Sequence, residues 1–164
     1  MTKDTYTKLT KPFREDEAKA KQISNLNKYL TYLVFFMYPV LLLFLLMNKD
    51  QLLFRAIVVP LDGFIVLSVF RYIINRPRPY EFFDMPPIIS KDTKGKSFPS
   101  RHVYSAFVIA MTFLFTFPWI RVCILLIIAS LMLAIIRVLV GVHYISDVIV
   151  GALVGVATAL IGFL

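Results

Sequence analysis

The sequence predicts an all-α integral-membrane bundle of about five transmembrane helices preceded by an interfacial helix. Three observations carry that expectation. Apolar residues make up 59% of the 164, and the mean hydropathy of +0.75 is far above that of a water-soluble domain. Apolar runs long enough to cross a hydrocarbon core recur along the chain. Prolines and ionisable residues cluster mostly between those runs. At this length the chain is one domain at most. Its formal net charge of +8 would suit nucleic acid, an anionic membrane surface or a phosphate-bearing ligand, and the hydropathy weighs against the first. Membrane lipids and a lipid phosphate are the expected partners, and nucleic acid is not. The single cysteine, Cys123, lies in an apolar run, so neither an intrachain disulfide nor a thiolate zinc cluster can form.

Residues 1–28 form a polar basic tail with seven Lys/Arg and four acids, separate from a transmembrane domain over 29–164. Arg14 to Leu30 has the helix formers for a short interfacial helix, with a solvated arm as the alternative, and nothing in the tail carries chemistry. Tyr29 to Met47 is free of charge and spans about 28 Å as a helix. It is too long for a signal core and lacks cleavage chemistry after Met47, so it is expected to stay attached.

After the turn Asn48–Gln51, Leu52 to Ile74 makes a second crossing interrupted by Arg55, Pro60, Asp62 and Gly63. Asp62 lies roughly 13 Å of helix before Arg71, too deep for a ligand at the interface, and predicts a polar partner on a neighbouring helix. Arg76-Pro77-Arg78-Pro79 stops this helix. The long loop to Pro99 mixes Phe82, Phe83, Ile88 and Ile89 with Lys91, Lys94 and Lys96, and is expected to be an interfacial lid. Ser100 is an N-cap for a third crossing that ends near Phe117, before Pro118. Trp119 and Arg121 anchor a fourth crossing over Val122 to Ile136, extendable to about Val140. Ser146 and Asp147 begin the fifth, where Gly151, Gly155 and Ala159 recur every four residues as a close-packing stripe.

An odd number of crossings puts the tail, the long loop and the segment around His143 on one side. Fifteen of the 18 Lys/Arg lie there, so the positive-inside rule predicts a multi-pass protein with its tail and site at the cytoplasmic face.

Three stretches on that side concentrate ionisable groups: Arg71 to Pro79, Ser97 to His102, and Arg137 to Asp147. Arginines 71, 78, 101 and 137 with Ser100 and a helix start suit a phosphate, because the guanidinium fork matches phosphate oxygens and a helix N-terminus adds N–H donors. His102 and His143 are the only histidines and both fall beside arginines, which favours chemistry over two isolated polar residues. One can attack phosphorus while the other protonates the leaving oxygen. Residues four apart share a helix face, so Asp147 can orient His143.

On these residues the sequence resembles the type 2 phosphatidic acid phosphatase superfamily of membrane lipid phosphatases and haloperoxidase-related enzymes. The family's first motif, Lys, six residues, Arg-Pro, corresponds to Arg71, six residues, Arg78-Pro79. Its Pro-Ser-Gly-His corresponds to Pro99-Ser100-Arg101-His102, and its Ser-Arg, five residues, His, three residues, Asp to Ile136-Arg137, His143 and Asp147. The resemblance implies that His143 is the nucleophile forming a phosphohistidine, Asp147 its orienting partner and His102 the general acid and then base. It implies that Arg71, Arg78 and Arg137 hold the phosphate with Ser100, and that neither metal nor cofactor takes part. Arg71 and Arg101, where the family has Lys and Gly, lean towards a diphosphate. Small bacterial members of similar size recycle polyprenyl diphosphate carriers, which makes undecaprenyl diphosphate the first expectation, with phosphatidate and phosphatidylglycerophosphate as competitors. A non-catalytic lipid-phosphate binding or transport protein is the alternative of another class. Oligomeric state is not legible.

Overall fold

The computed structural model describes residues 1–91 and 93–164. Seven helices follow in order among the described residues, with no strand: α1 (Lys3–Arg14), α2 (Glu17–Met47), α3 (Leu53–Ile74), α4 (Pro79–Phe82), α5 (Arg101–Thr116), α6 (Ile120–Leu139) and α7 (Ile145–Phe163). Helices α2, α3, α6 and α7 are long and apolar enough to cross a membrane, and their outward residues, among them Phe36, Leu43, Phe54, Val66 and Ile161, are exposed as a lipid-facing belt. The shorter α5 sits at the centre and is buried almost all round, from Val103 to Ala110. Protein rather than lipid covers it.

The amino-terminal elements differ from expectation. The surface helix lies at Lys3–Arg14, capped by Thr2, and α2 then starts at Glu17 with Asp16 as its N-cap (Oδ1 to Lys19 N, 3.1 Å). Helix α2 runs unbroken through Tyr29, so residue 28 marks no structural boundary. The lysines at 19, 21 and 28 ride on its end outside the apolar stretch, where a long helix tolerates them. Nor is the tail a free arm, since Tyr6 and Thr10 are fully buried while Lys3, Lys8 and Lys11 stay exposed.

Close approach of α5 and α7 fixes the frame. A Cβ at Gly151 would lie 2.7 Å from the Ser100 carbonyl oxygen, and one at Gly155 2.7 Å from that of Tyr104. The Gly151–Gly155–Ala159 stripe is therefore packing, as the spacing predicts. Pro60 cannot donate to the Ala56 carbonyl one turn earlier, and the Tyr38 hydroxyl of α2 donates to it instead (2.8 Å). The Tyr104 hydroxyl donates to Pro60 O (3.2 Å), tying α3 to α5.

Asp62 departs from expectation. It is exposed and makes no hydrogen bond or ion pair among the described residues, lining a groove between α3 and α7. Two residues beyond the buried Pro60, it stands about 200° further round the helix, away from the polar partners on α2 and α5.

The loop after α3 folds back over the end of the bundle. Ile88 N donates to Val140 O (3.0 Å), both Glu81 oxygens accept from Gly95 N (2.8 and 3.0 Å), and the Tyr80 hydroxyl donates to Thr93 O.

Candidate active site

The turn between α6 and α7, Val140 to Tyr144, presents His143 at the end of the bundle, 2% exposed. His143 precedes α7, whose N-cap is Tyr144, so His143 and Asp147 meet across a helix start and do not share a helix face. Asp147 occupies the third helical position. Its Oδ2 accepts from Tyr144 N (3.0 Å), lies 3.3 Å from His143 Nδ1, and accepts from Ser97 Oγ (2.5 Å). Its Oδ1 accepts from Arg76 Nη1 (2.8 Å), which also donates to Ser146 Oγ (2.8 Å). The Arg76 guanidinium is stacked on the Tyr144 ring at 4.0 Å. Asp147 is thus fully engaged as an acceptor, which requires it ionised.

That network assigns the tautomer of His143. Ser97 Oγ, 3.4 Å from Nδ1, spends its one proton on Asp147, so both neighbours of Nδ1 are acceptors. Nδ1 must carry the hydrogen, leaving Nε2 with a free lone pair. Burial pushes the imidazole down to about 4, outweighing the Asp147 hydrogen bond, and Arg78 and Arg137 add to the fall. His143 is neutral at neutral pH.

Around it stand three arginines, each 4% exposed: Arg71 from the last turn of α3, Arg78 from the N-cap of α4 and Arg137 from the last turn of α6. Arg71 donates to the carbonyls of Ser97 (3.4 Å), Pro99 and Lys96. Arg78 donates to Gly95 O (3.1 Å) and Val142 O (3.4 Å). Among the described residues Arg137 reaches only Thr31 Oγ1, at 3.5 Å, and its Nε is buried without a partner. Among the described residues none of the three has a carboxylate partner. Ser100 Oγ is likewise buried and unpartnered, while Ser100 N donates to Asp147 O (2.9 Å) and so joins the second stretch to the third. The first bond of α5 is Tyr104 N to Ser100 O, so the N–H groups of Arg101, His102 and Val103 have no helical acceptor.

Two predicted site residues lie outside that enclosure. His102 is half-buried and makes no hydrogen bond among the described residues; its ring is 6.4 Å from that of Phe35 on α2, and Arg137, Lys91, His143 and Arg101 are close enough to act on its charge. Arg101 is exposed, its guanidinium 5.6 Å from the Phe64 ring centre, and it does not enter the buried arginine cluster. Sequence reasoning missed Ser97 and Arg76 as partners of Asp147, and Lys91 as a neighbour of the arginines. Burial and those arginines hold the Lys91 ammonium below the usual lysine range.

The family model of the PAP2 superfamily matches residues 51–164. No curated protein matches the chain. Among solved structures, that of LpxE from Aquifex aeolicus superimposes with a TM-score of 0.76 at 22% identity, over 97% of this chain and 92% of that one. A transmembrane PAP2-type phosphatidylglycerolphosphate phosphatase from Bacillus subtilis gives 0.70 at 19%, over 97% and 83%. At these identities the likeness establishes a common fold, and it includes α1 and α2, which the family model leaves out.

Proposed function

The chain belongs to the PAP2 superfamily, and on that premise we propose that it is an integral-membrane phosphohydrolase of a lipid phosphate or diphosphate, working through a phosphohistidine. The observation that carries this reading is the contrast at the site: three buried guanidiniums with no carboxylate hydrogen-bonded to them among the described residues stand near a histidine whose Nε2 is free. Buried charge is costly unless paired, so such a cluster is built to receive an anion.

His143 Nε2 attacks phosphorus as the bond to the leaving oxygen breaks in line, and that oxygen takes its electron pair and a proton from His102. Asp147 stabilises the charge that develops on the His143 ring. His102 then removes a proton from water, water oxygen attacks phosphorus, and the P–N bond returns its pair to Nε2. Arg71, Arg78 and Arg137 hold the non-bridging oxygens with Ser100 Oγ and the free N–H groups of α5, supplying the positive charge that a metal ion provides in other phosphoryl-transfer sites.

The lipid tail stays in the apolar cleft between α2 and α3, a cavity of about 280 Å³ lined by Phe35, Tyr38 and Phe64. Phe35 faces His102 and Phe64 carries Arg101, so this cleft leads to the exposed edge of the site. An exposed Arg101 beyond a buried three-arginine pocket suits a second phosphate, which favours polyprenyl diphosphate over phosphatidate and phosphatidylglycerophosphate. The basic α1 beside the site supports a cytoplasmic orientation.

The test is phosphate release by the purified protein in detergent with a chelator present, from undecaprenyl diphosphate, phosphatidate and phosphatidylglycerophosphate. Turnover that survives chelation and vanishes in His143→Ala is the expected result. No release from any of the three lipids, or equal release by the variant, overturns it in favour of binding or transport.

A further inference from the structure

The amino-terminal helix stands outside the residues that define the family match, yet its one fully buried aromatic is locked to the turn that carries His143. The Tyr6 hydroxyl lies 3.3 Å from Gly141 O and 3.4 Å from Met85 O, as donor to both. Arg14 Nη2 donates to that hydroxyl (3.3 Å), while Arg14 Nε is held by Thr10 Oγ1 (3.0 Å). Burial pushes the phenol above its ordinary value despite Arg14, so it stays protonated.

Gly141 is the point of contact. Its φ of +78° is a left-handed conformation that L side chains rarely adopt, and a Cβ there would lie 2.5 Å from Tyr6 Oη. His143 follows two residues later. A second line of contacts leads to the same pair: Tyr6 packs on Phe83 (5.2 Å between ring centres), Phe83 on Tyr144 (6.3 Å), and Tyr144 carries the guanidinium of Arg76 that binds Asp147. Helix α1 thus touches the turn two residues before His143 directly and reaches Asp147 through Phe83, Tyr144 and Arg76.

We propose that α1 is a positioning element for the reaction, with Tyr6 as the positioning residue that holds the Val140–Tyr144 turn so that His143 Nε2 faces the bound phosphate. The proposal rests on the phosphohistidine reading. The exposed side of α1 carries Lys3, Lys8 and Lys11, so the brace sits where the chain meets the headgroups.

Tyr6→Phe keeps the ring on Phe83 and removes only the hydroxyl, and Tyr6→Ala removes both. In the protein in detergent, Tyr6→Phe is expected to lower kcat about tenfold with KM within about twofold, since loss of aim at the reacting atom costs rate, not binding, and to lower the melting temperature by a few degrees because the Gly141 carbonyl loses its buried donor. Tyr6→Ala is expected to lose more. Unchanged kcat in Tyr6→Phe overturns the proposal, as does a rise in KM alone. Nitrogen-15 NMR of the labelled histidines gives a readout independent of turnover, in which Tyr6→Phe broadens or moves the His143 Nδ1–H signal. If wild type hydrolyses no lipid, the phosphatase reading falls by itself, and an unmoved His143 signal then decides against positioning as well.

Discussion

The two halves of the site are built on opposite principles. Around Asp147 every acceptor is used: Arg76, Ser97, Tyr144 N and His143 take its two oxygens, and Tyr144 stacks under Arg76. Around the proposed phosphate position, among the described residues, Arg71 and Arg78 rest on neutral carbonyls while Arg137 Nε and Ser100 Oγ have no partner. On the proposed function, the first half is finished before substrate arrives and the second is completed by it. On the proposed reading, preorganisation of the nucleophile belongs to the protein alone, whereas the stability of the cation cluster depends on the ligand.

The largest effect comes from removing the reacting atom. His143→Ala is expected to lower kcat by about 10⁴-fold or more, as for a lost nucleophile elsewhere, while orthovanadate binding falls little because the arginines remain. Residual turnover above a hundredth of wild type breaks the division, since the nucleophile would then lie elsewhere.

Arg137→Ala is expected to cost about 10² to 10³ in kcat/KM, with Arg137→Lys restoring only part because a point charge replaces a fork. The unliganded variant should melt no lower than wild type, because a buried cation held by one neutral hydroxyl, with no carboxylate partner among the described residues, is a burden on the empty fold. Orthovanadate should raise the melting temperature of wild type and leave the variant near its starting point. A large loss of stability in the empty variant would mean that the cluster is structural.

The pH dependence follows from the same burial that protects the nucleophile. With its imidazole held at about 4, His143 stays neutral well below the ordinary histidine range, so the acid limb of kcat/KM should fall near pH 4. An ordinary histidine would already have lost about 30-fold at pH 5. The sign for stability is set by the same shift. Above pH 6.5 neither state is protonated here and the native state is undisturbed; as pH falls towards 4 the unfolded chain binds a proton the native one refuses, and stability declines.

Much of this was legible in the sequence, for definite reasons. Long apolar runs mark membrane helices because lipid imposes their length, and His143, Asp147 and the arginines were legible because such groups are rare at membrane depth. What escaped were contacts between segments far apart in the chain. Arg76 pairs with a residue 71 positions away and Tyr6 with one 135 away, and neither separation leaves a periodic trace. Arg76 and Ser97 fall within the stretches expected to share the site, but the sequence reading gives neither a role there. The one available signal was local: Asp16 and Glu17 are a helix start, and reading them would have placed α2 correctly and freed residues 3–14 to be a helix of their own.

Arg76→Ala tests the finished half more gently. With His143 and the phosphate arginines intact, loss of one of the contacts on Asp147 should reduce kcat about tenfold, ~1.4 kcal/mol of barrier, with KM little changed. The KM–kcat split separates it from Arg137, whose loss must also weaken substrate binding.

The smallest expected effect is at the edge of the unfinished half. Arg101 is exposed and leans on Phe64, so solvent and salt screen it, and an exposed ionic contact is worth about 0.2–1 kcal/mol. On a monophosphate held wholly by Arg71, Arg78 and Arg137, Arg101→Ala should therefore change kcat/KM by less than about twofold. A diphosphate places its second phosphate outside the buried cluster, where Arg101 can reach it, and the loss should rise to about fivefold and shrink as salt is added. Equal effects on both substrates would place Arg101 outside the substrate's reach and remove the argument for a diphosphate. A loss as large as that of Arg137→Ala would mean that the edge closes over the substrate and that the buried and exposed cations act as one group.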